Sequence, residues 1–298
     1  MIIAIYGSRR QDDYLDQILS LLGMVSEHAD SIVMHSKLYG YLSDSAGDRF
    51  VAMMRGHSVT DSTDFAADLA LSIGGDGTFL RTAQWVADKQ IPIIGVNTGH
   101  LGFLAPFSIE EAKKALADKC LDSYRIISRE LLQVEYPYGE FATWPYALNE
   151  VAFMKKDSAS MVGVDVRVNN QPLANYLCDG LIAATPTGST GYNLSVGGPI
   201  LQPGMSSVVL SPIAPHSLSM RPLVIDSAGI MEVKVLSRTN SYRISLDGRS
   251  ITMPCGSSVF LTRAPFHILT VQKPDYNFFS TLRDKLFWGA TPLENKFK

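Results

Sequence analysis

The pentapeptide Gly74-Gly75-Asp76-Gly77-Thr78 constrains this chain more than any other stretch. It follows an apolar run from Leu69 to Ile73 and leads into Phe79-Leu80-Arg81-Thr82-Ala83-Gln84-Trp85, which reads as a helix. Strand, glycine turn and helix form the layout that points backbone N–H groups and a helix N-terminus at a phosphate. The carboxylate sets this turn apart. An anion among phosphate-facing donors repels phosphate, so its presence implies chemistry, either accepting a hydroxyl proton or helping to hold a metal ion. Phosphoryl transfer to an alcohol needs those parts. The plainer alternative is a tight turn in which Asp76 only caps a helix.

The ordinary glycine-loop motifs fail on the residues. The dinucleotide motif requires a third glycine three positions after the second, and counting from Gly75 and Gly77 that place is Leu80. The Walker loop requires Gly-Lys, a pair absent from the sequence. The esterase elbow Gly-x-Ser-x-Gly fails at Thr187-Gly188-Ser189-Thr190-Gly191, where Thr187 holds the first glycine position.

The organisation changes midway. Residues 1 to roughly 122 alternate strands and helices. Ile2 to Tyr6 reads as a buried strand, and Asp12 to Leu22 as an amphipathic helix through Leu15, Ile18, Leu19 and Leu22. Ile32 to Met34, Leu69 to Ile73 and Pro92 to Val96 are further strands, and Ser108 with Glu111 forms a capping box before a helix. Short apolar strands between helices imply a parallel, Rossmann-like sheet with ligands beyond the strands' carboxyl ends. The glycine turn and the stretch 97–103 both fall there. Residues 40 to 64, rich in Ser, Asp and Gly, read as a mobile excursion. From 123 to 272 strands and turns dominate, as in the alternating Val164-Asp165-Val166-Arg167-Val168, which suggests an all-β sandwich. A final segment, 273–298, carries an amphipathic helix from Phe278 to Trp288 that stops at Gly289.

Composition narrows the function classes. At 298 residues, with 46% apolar and 18% charged residues, the chain can bury a large core and is not a disordered one. A net charge of -3 argues against a general nucleic-acid or membrane-surface binder, so an anionic substrate must be held by local donors. No apolar run reaches a membrane span, and the start Met1-Ile2-Ile3-Ala4-Ile5-Tyr6-Gly7 lacks the basic opening of a signal peptide. Cys120, Cys178 and Cys255 are far apart and in no metal spacing, as suits reduced thiols. The expected location is the cytoplasm.

Further along stand Asn149-Glu150; then Asp179-Gly180; then Thr185-Pro186-Thr187-Gly188-Ser189-Thr190-Gly191-Tyr192-Asn193-Leu194-Ser195 with Gly197-Gly198-Pro199; then Pro215-His216-Ser217; and Asp247-Gly248. In this order and spacing, and over most of the chain, these motifs resemble the NAD kinases, which make NADP from NAD and ATP. Lipid kinases share the glycine-aspartate turn alone. The resemblance implies that the last segment packs back on the first domain, that the strand-rich domain binds NAD, and that the protein is a homodimer or homotetramer.

The resemblance also assigns roles. It makes Asp76 the general base for the 2′-hydroxyl of the adenosine ribose, or the group that orients it, since loose phosphoryl-transfer transition states ask little of a base. Gly77 leaves room for backbone approach. Arg81 either reaches a pyrophosphate or lies on a solvated helix face. Asn149 and Glu150 suit a base edge and two ribose hydroxyls, and Asp179 suits the nicotinamide carboxamide. Thr190, Gly191, Tyr192, Asn193, Leu194 and Ser195 form a loop against the nucleoside, Tyr192 offering its ring to adenine. Asp247 joins the binding set. Ala214 offers backbone atoms to the pocket or simply packs. His100 and His216 read as loop-ordering residues, and Lys155-Lys156 as a solvated strand end. Mg²⁺ is expected with ATP, held mostly by phosphates and water, with Asp76 as the nearest protein contributor and no dedicated metal site. The sequence departs from the family at Gly191, usually alanine, and at Leu177, where several bacterial relatives carry arginine; Arg249 stands where relatives vary. The competing readings are another small-alcohol or lipid kinase, and an NAD(P)-binding protein without catalysis.

Overall fold

The carboxyl ends of two neighbouring parallel strands fix where the glycine turn sits. The computed structural model describes residues 1–9, 11–99, 102–117, 123–136, 143–156 and 160–289. They form two compact units, 1–127 with 269–298, and 128–268.

The first unit contains β1 (Ile2–Gly7), α1 (Leu15–His28), β2 (Ser31–His35), α2 (Ser36–Ala46), α3 (Asp48–Met53), β3 (Ser58–Thr60), β4 (Leu69–Ile73), α4 (Asp76–Val86), β5 (Ile93–Val96) and α5 (Ile109–Ala117). Its strands run parallel in the order β3-β2-β1-β4-β5. Growth of the sheet reverses between β1 and β4, the crevice where doubly wound sheets take their ligands. The turn after β4 opens there.

Every residue of β4 is buried, as a strand covered on both faces must be. α1 turns Ile18, Leu21, Leu22 and Val25 into the same core. Residues 40–64 fold into parts of α2, α3 and β3, because Leu42 and Phe50 are fully buried; the expectation of an excursion there is corrected. The capping box at Ser108 and Glu111 is present, with Ser108 N–H donating to Glu111 Oε2 at 2.8 Å and Glu111 N–H to Ser108 Oγ at 3.2 Å.

The second unit holds β6 (Arg125–Glu135), β7 (Tyr146–Ala147), β8 (Glu150–Lys155), β9 (Val162–Val168), β10 (Gln171–Cys178), β11 (Gly180–Ala184), the short α6 (Tyr192–Ser195), β12 (Ser207–Ile213), β13 (Leu223–Asp226), β14 (Met231–Ser237), β15 (Ser241–Leu246), β16 (Arg249–Pro254) and β17 (Ser258–Gln272). The chain enters this unit within β6 and leaves it within β17. One antiparallel sheet follows the order β13-β12-β11-β8-β15-β16; β10, β9, β14 and the start of β17 form a second antiparallel set. Val162, Val164 and Val166 alternate inward against Phe153, Leu181 and Ile244, the interior of the expected sandwich.

After β17 comes α7 (Phe278–Leu286), grouped with the first unit. Asn277 caps it, accepting from Phe279 N–H at 2.9 Å. Phe278 and Leu282 are its buried side, and Lys273 just before it pairs with Glu111 at 2.6 Å. Among the described residues no helix is long and apolar enough to cross a membrane.

Candidate active site

In the first unit the glycines of the turn have separate jobs. Gly74 has φ +144°, and a Cβ there would lie 2.5 Å from Thr78 Oγ1. Gly75 and Gly77 would meet nothing within 4 Å, so their backbone is open to a ligand. Asp76 begins α4, and its carboxylate is held by three successive backbone donors. Phe103 N–H donates to Oδ2 at 2.9 Å; Leu104 and Ala105 N–H donate to Oδ1 at 2.9 and 3.2 Å. The aspartate therefore does more than cap its own helix: it locks the turn to the segment after β5. Gly102 makes the lock possible, since a Cβ there would fall 1.8 Å from Asp76 Oδ1. Sequence reasoning places 97–103 at the strand ends but misses this role of Gly102. His100 lies outside the described residues.

Arg81, one turn into α4, is exposed and lines a cavity of about 350 Å³ with Tyr6, Ser8, Arg9 and Lys37. Among the described residues, three cations and no carboxylate line this space, all at the carboxyl ends of β1 and β2 or on α4. Burial pushes the Tyr6 phenol up, opposed by the adjacent Arg81. Sequence periodicity cannot reveal such a cluster, because its members come from three separate strand ends.

In the second unit the decisive geometry surrounds Asn149 and Glu150. Asp247 accepts from three successive backbone N–H groups, Leu148 at 2.7 Å, Asn149 at 2.8 Å and Glu150 at 3.1 Å. Asp247 and Gly248, at φ +48° and +81°, form the two-residue turn between β15 and β16, the Asp-Gly hairpin signal. Asp247 thus positions the Asn-Glu pair through its carboxylate. Arg249 anchors the next step, donating to the Trp144 and Tyr146 carbonyls at 2.8 and 2.6 Å.

Each of the two side chains so positioned has one acceptor atom without a donor among the described residues. Asn149 Oδ1 and Glu150 Oε2 are buried and have no hydrogen-bond donor among the described residues. Burial, then the nearby Asp247 charge, pushes Glu150 up to about 7, against the pull of the Tyr192 N–H. A buried acceptor without a donor is costly, and two such acceptors stand on successive residues here.

The loop after β11 closes on this pair. Thr185 Oγ1 donates to the Leu148 carbonyl at 2.6 Å and Thr185 N–H to the Asn149 carbonyl at 2.9 Å. Gly188 is obligatory, as a Cβ would meet the Asn149 carbonyl at 2.0 Å. A Cβ at Gly191 would come 3.3 Å from Glu150 Oε2, so glycine at this position leaves the carboxylate extra room. Thr190 Oγ1 donates to the Thr187 carbonyl at 3.3 Å. Asn193 is fully buried, and its amide is committed to the Ser189 and Pro199 carbonyls and to Ser211 Oγ. The expectation that Asn193 contacts the ligand is narrowed to its main chain. Tyr192 is 40% exposed, its ring available; Leu194 is half-buried and Ser195 exposed.

Asp179 and Ala214 belong to a different part of this unit. Asp179 pairs with Lys155 at 2.7 Å, so Lys155 is not simply a solvated strand end. Both line a cavity of about 620 Å³ with Leu177, His216, Ser237 and Arg238. Ala214, at φ +45°, turns the chain after β12 just before that His216. Among the described residues no group of three His, Cys, Asp or Glu side chains could hold a metal ion.

Residues 10–124 match the family model of the ATP-NAD kinase N-terminal domain, and residues 148–272 that of the ATP-NAD kinase C-terminal domain. The chain belongs to the NAD kinase family. It is 38% identical over 290 residues to the NAD kinase of Bacteroides fragilis, covering 97% of this chain and 99% of the relative. It is 40% identical over 288 residues to that of Porphyromonas gingivalis, covering 97% and 98%. The fold matches a yeast NADH kinase solved with NADH, with a TM-score of 0.84, 21% identity and coverage of 98% of this chain and 89% of that one. It also matches an NAD kinase from Archaeoglobus fulgidus solved with ATP, with a TM-score of 0.70, 24% identity and coverage of 95% and 99%. As a member of this family the protein is an NAD kinase, a phosphotransferase acting on an alcohol. The competing readings of a lipid kinase and a non-catalytic binder give way to this one.

Proposed function

We propose that the protein transfers the γ-phosphoryl of ATP to the 2′-hydroxyl of the adenosine ribose of NAD. The carrying observation is the pair of buried, donor-less acceptors, Asn149 Oδ1 and Glu150 Oε2. Adenine offers an amino donor and ribose offers hydroxyls, so an adenosine satisfies both acceptors. Thr190 to Ser195 line the nucleoside, with the Tyr192 ring on the base. Asp179 takes the nicotinamide carboxamide in exchange for part of its pairing with Lys155.

Asp76 receives the hydroxyl proton or orients the hydroxyl. Three of its lone pairs are occupied by N–H groups, which fixes its direction and leaves one for the substrate. That arrangement favours orientation as its main contribution. Arg81, with Arg9 and Lys37, holds donor phosphates; three cations around one cavity, with no carboxylate among its described lining residues, support this. Mg²⁺ would enter as a companion of the nucleotide, held mostly by phosphates and water, with the Asp76 carboxylate as the nearest protein contributor. When bound, it neutralises phosphate charge.

The test is NADP formation from MgATP and NAD, read with an NADP-specific dehydrogenase. Asp76→Asn should lower turnover by about 10²–10⁴-fold while NAD still binds. Unchanged turnover in that variant would remove Asp76 from the reaction. We further propose a cytoplasmic homodimer or homotetramer assembled through the strand-rich unit, supported by the partly exposed Leu223 and Val224 on its edge strand β13. Sedimentation analysis of the full chain checks the assembly.

A further inference from the structure

One cation in the first unit has no place in the roles above. Lys285 lies near the end of α7. Its Nζ is buried, has no hydrogen-bond acceptor among the described residues, and sits 4.3 Å from the centroid of the Phe103 ring. Phe103 is the residue whose N–H holds Asp76 Oδ2. Asp76 is also the one charge that acts appreciably on the ammonium. No carboxylate pairs with it directly among the described residues, and the segment 102–107 that faces it carries no titratable side chain.

A purely structural role does not account for this. A cation over an aromatic face gains only a modest attraction. Burying an ammonium with three donors and no acceptor costs more than that. Methionine would fill the same space against Phe103 without any such cost. Burial pushes Lys285 down to about 8, with Asp76 opposing, so it still carries its proton at neutral pH. Among the described residues this ammonium has no acceptor, and it lies over the ring of the residue whose N–H holds the Asp76 carboxylate.

We propose that Lys285 is a ligand of the phosphoryl group in transfer, donating from Nζ to one of its non-bridging oxygens. This rests on the kinase reading above. During transfer the bond between the γ-phosphorus and the β,γ-bridging oxygen breaks, and its electron pair leaves on ADP. The bond from the ribose 2′-oxygen to the γ-phosphorus forms, and the hydroxyl proton passes to Asp76 or to water. Lys285 keeps its proton throughout and neutralises charge spread over the equatorial oxygens.

The test uses the full chain with Lys285→Met and Lys285→Ala, assayed with MgATP and NAD beside wild type. Lys285→Met should melt at or above the wild-type temperature, lose about 100-fold or more in kcat, and keep its KM for NAD within threefold. Propylammonium should restore Lys285→Ala saturably. Wild-type kcat and KM for ATP in Lys285→Met would overturn the proposal, and so would activity loss in a folded Lys285→Ala that the amine does not restore. Should neither variant fold, acetylation of Lys285 in wild type is followed by mass spectrometry with and without inorganic triphosphate. Protection of at least fivefold supports the proposal; none overturns it. Failure of wild type itself to form NADP would instead strike the kinase reading.

Discussion

Asp76 and Asp247 solve the same local problem in different units, and their surroundings give them different work. Each grips three consecutive backbone N–H groups, at 103–105 and 148–150 respectively. Asp76 is flanked by Gly75 and Gly77, both exposed, and close by is Lys285, whose Nζ has no acceptor among the described residues. Asp247 turns a hairpin, and two of the residues it holds, Asn149 and Glu150, each have an acceptor atom without a donor among the described residues. The same clamp therefore leaves its aspartate half-buried between exposed glycines in one unit, and in the other positions Asn149 and Glu150. A carboxylate tied to backbone is functional directly or by proxy according to which groups are left without partners.

Substitution separates the two most sharply. Asp247→Ala leaves three backbone donors without an acceptor, at roughly 3 kcal/mol in total or more, and lets the Asn-Glu pair move. Urea unfolding should show that loss, and calorimetry should show weaker NAD binding. Asp76→Asn keeps the side chain's size and the two bonds from Leu104 and Ala105 N–H but cannot accept the one from Phe103 N–H, so its main loss should fall on turnover with NAD affinity retained. A stable Asp247→Ala protein with normal NAD affinity would break the comparison.

Much of this is legible in the sequence. The order of strand, Gly-Gly-Asp-Gly-Thr and helix places the turn at a strand end, and Ser108 with Glu111 marks a helix start that is present to the residue. Asn149-Glu150 stands out through its neighbours in the motif series. The clamps are not legible, because they join residues 27 to 29 apart in one unit and 97 to 99 apart in the other. Gly102, Arg9, Lys37 and Lys285 gain meaning only from such closures. Asp247-Gly248 does carry a local hairpin signal, but that signal does not show which backbone groups the Asp247 carboxylate grips, and the expectation that Asp247 belongs to the binding set missed its positioning of residues 148–150. The stretch 40–64 misleads because small polar residues on outer helix faces outnumber Leu42 and Phe50, which decide its burial.

Glu150 sharpens the contrast through pH. Its folded-state value of about 7 stands above the ordinary 4.5. Between those values the folded protein binds more protons than the unfolded chain, so this group makes stability fall as pH rises through the window, with no further change above it. Glu150→Gln should remove that fall, read as melting temperature against pH without ligand. Ribose hydroxyls donate to the ionised form, so NAD binding should release a proton near pH ~6.5 and tighten toward pH ~8. Calorimetry in two buffers of different ionisation enthalpy counts the proton. No release would mean that Glu150 does not accept from the ribose.

The smallest effect belongs to Lys155 and Asp179, a pair that resembles neither clamp. Its side chains are 24% and 33% exposed, and an ion pair so open to water contributes less than about 1 kcal/mol. Lys155→Met should therefore barely move the melting temperature. Its kinetic signature is the informative part. If Asp179 takes a donor from the nicotinamide end, Lys155 competes for the same carboxylate. Removing the lysine then lowers the KM for NAD a few-fold, and Asp179→Asn raises it. If the pair is only a surface bridge over the cavity it lines, the two variants behave alike. Opposite shifts would extend the binding surface from Asn149 and Glu150 to Asp179; parallel ones would confine it to the side of the unit where acceptors lie buried without donors.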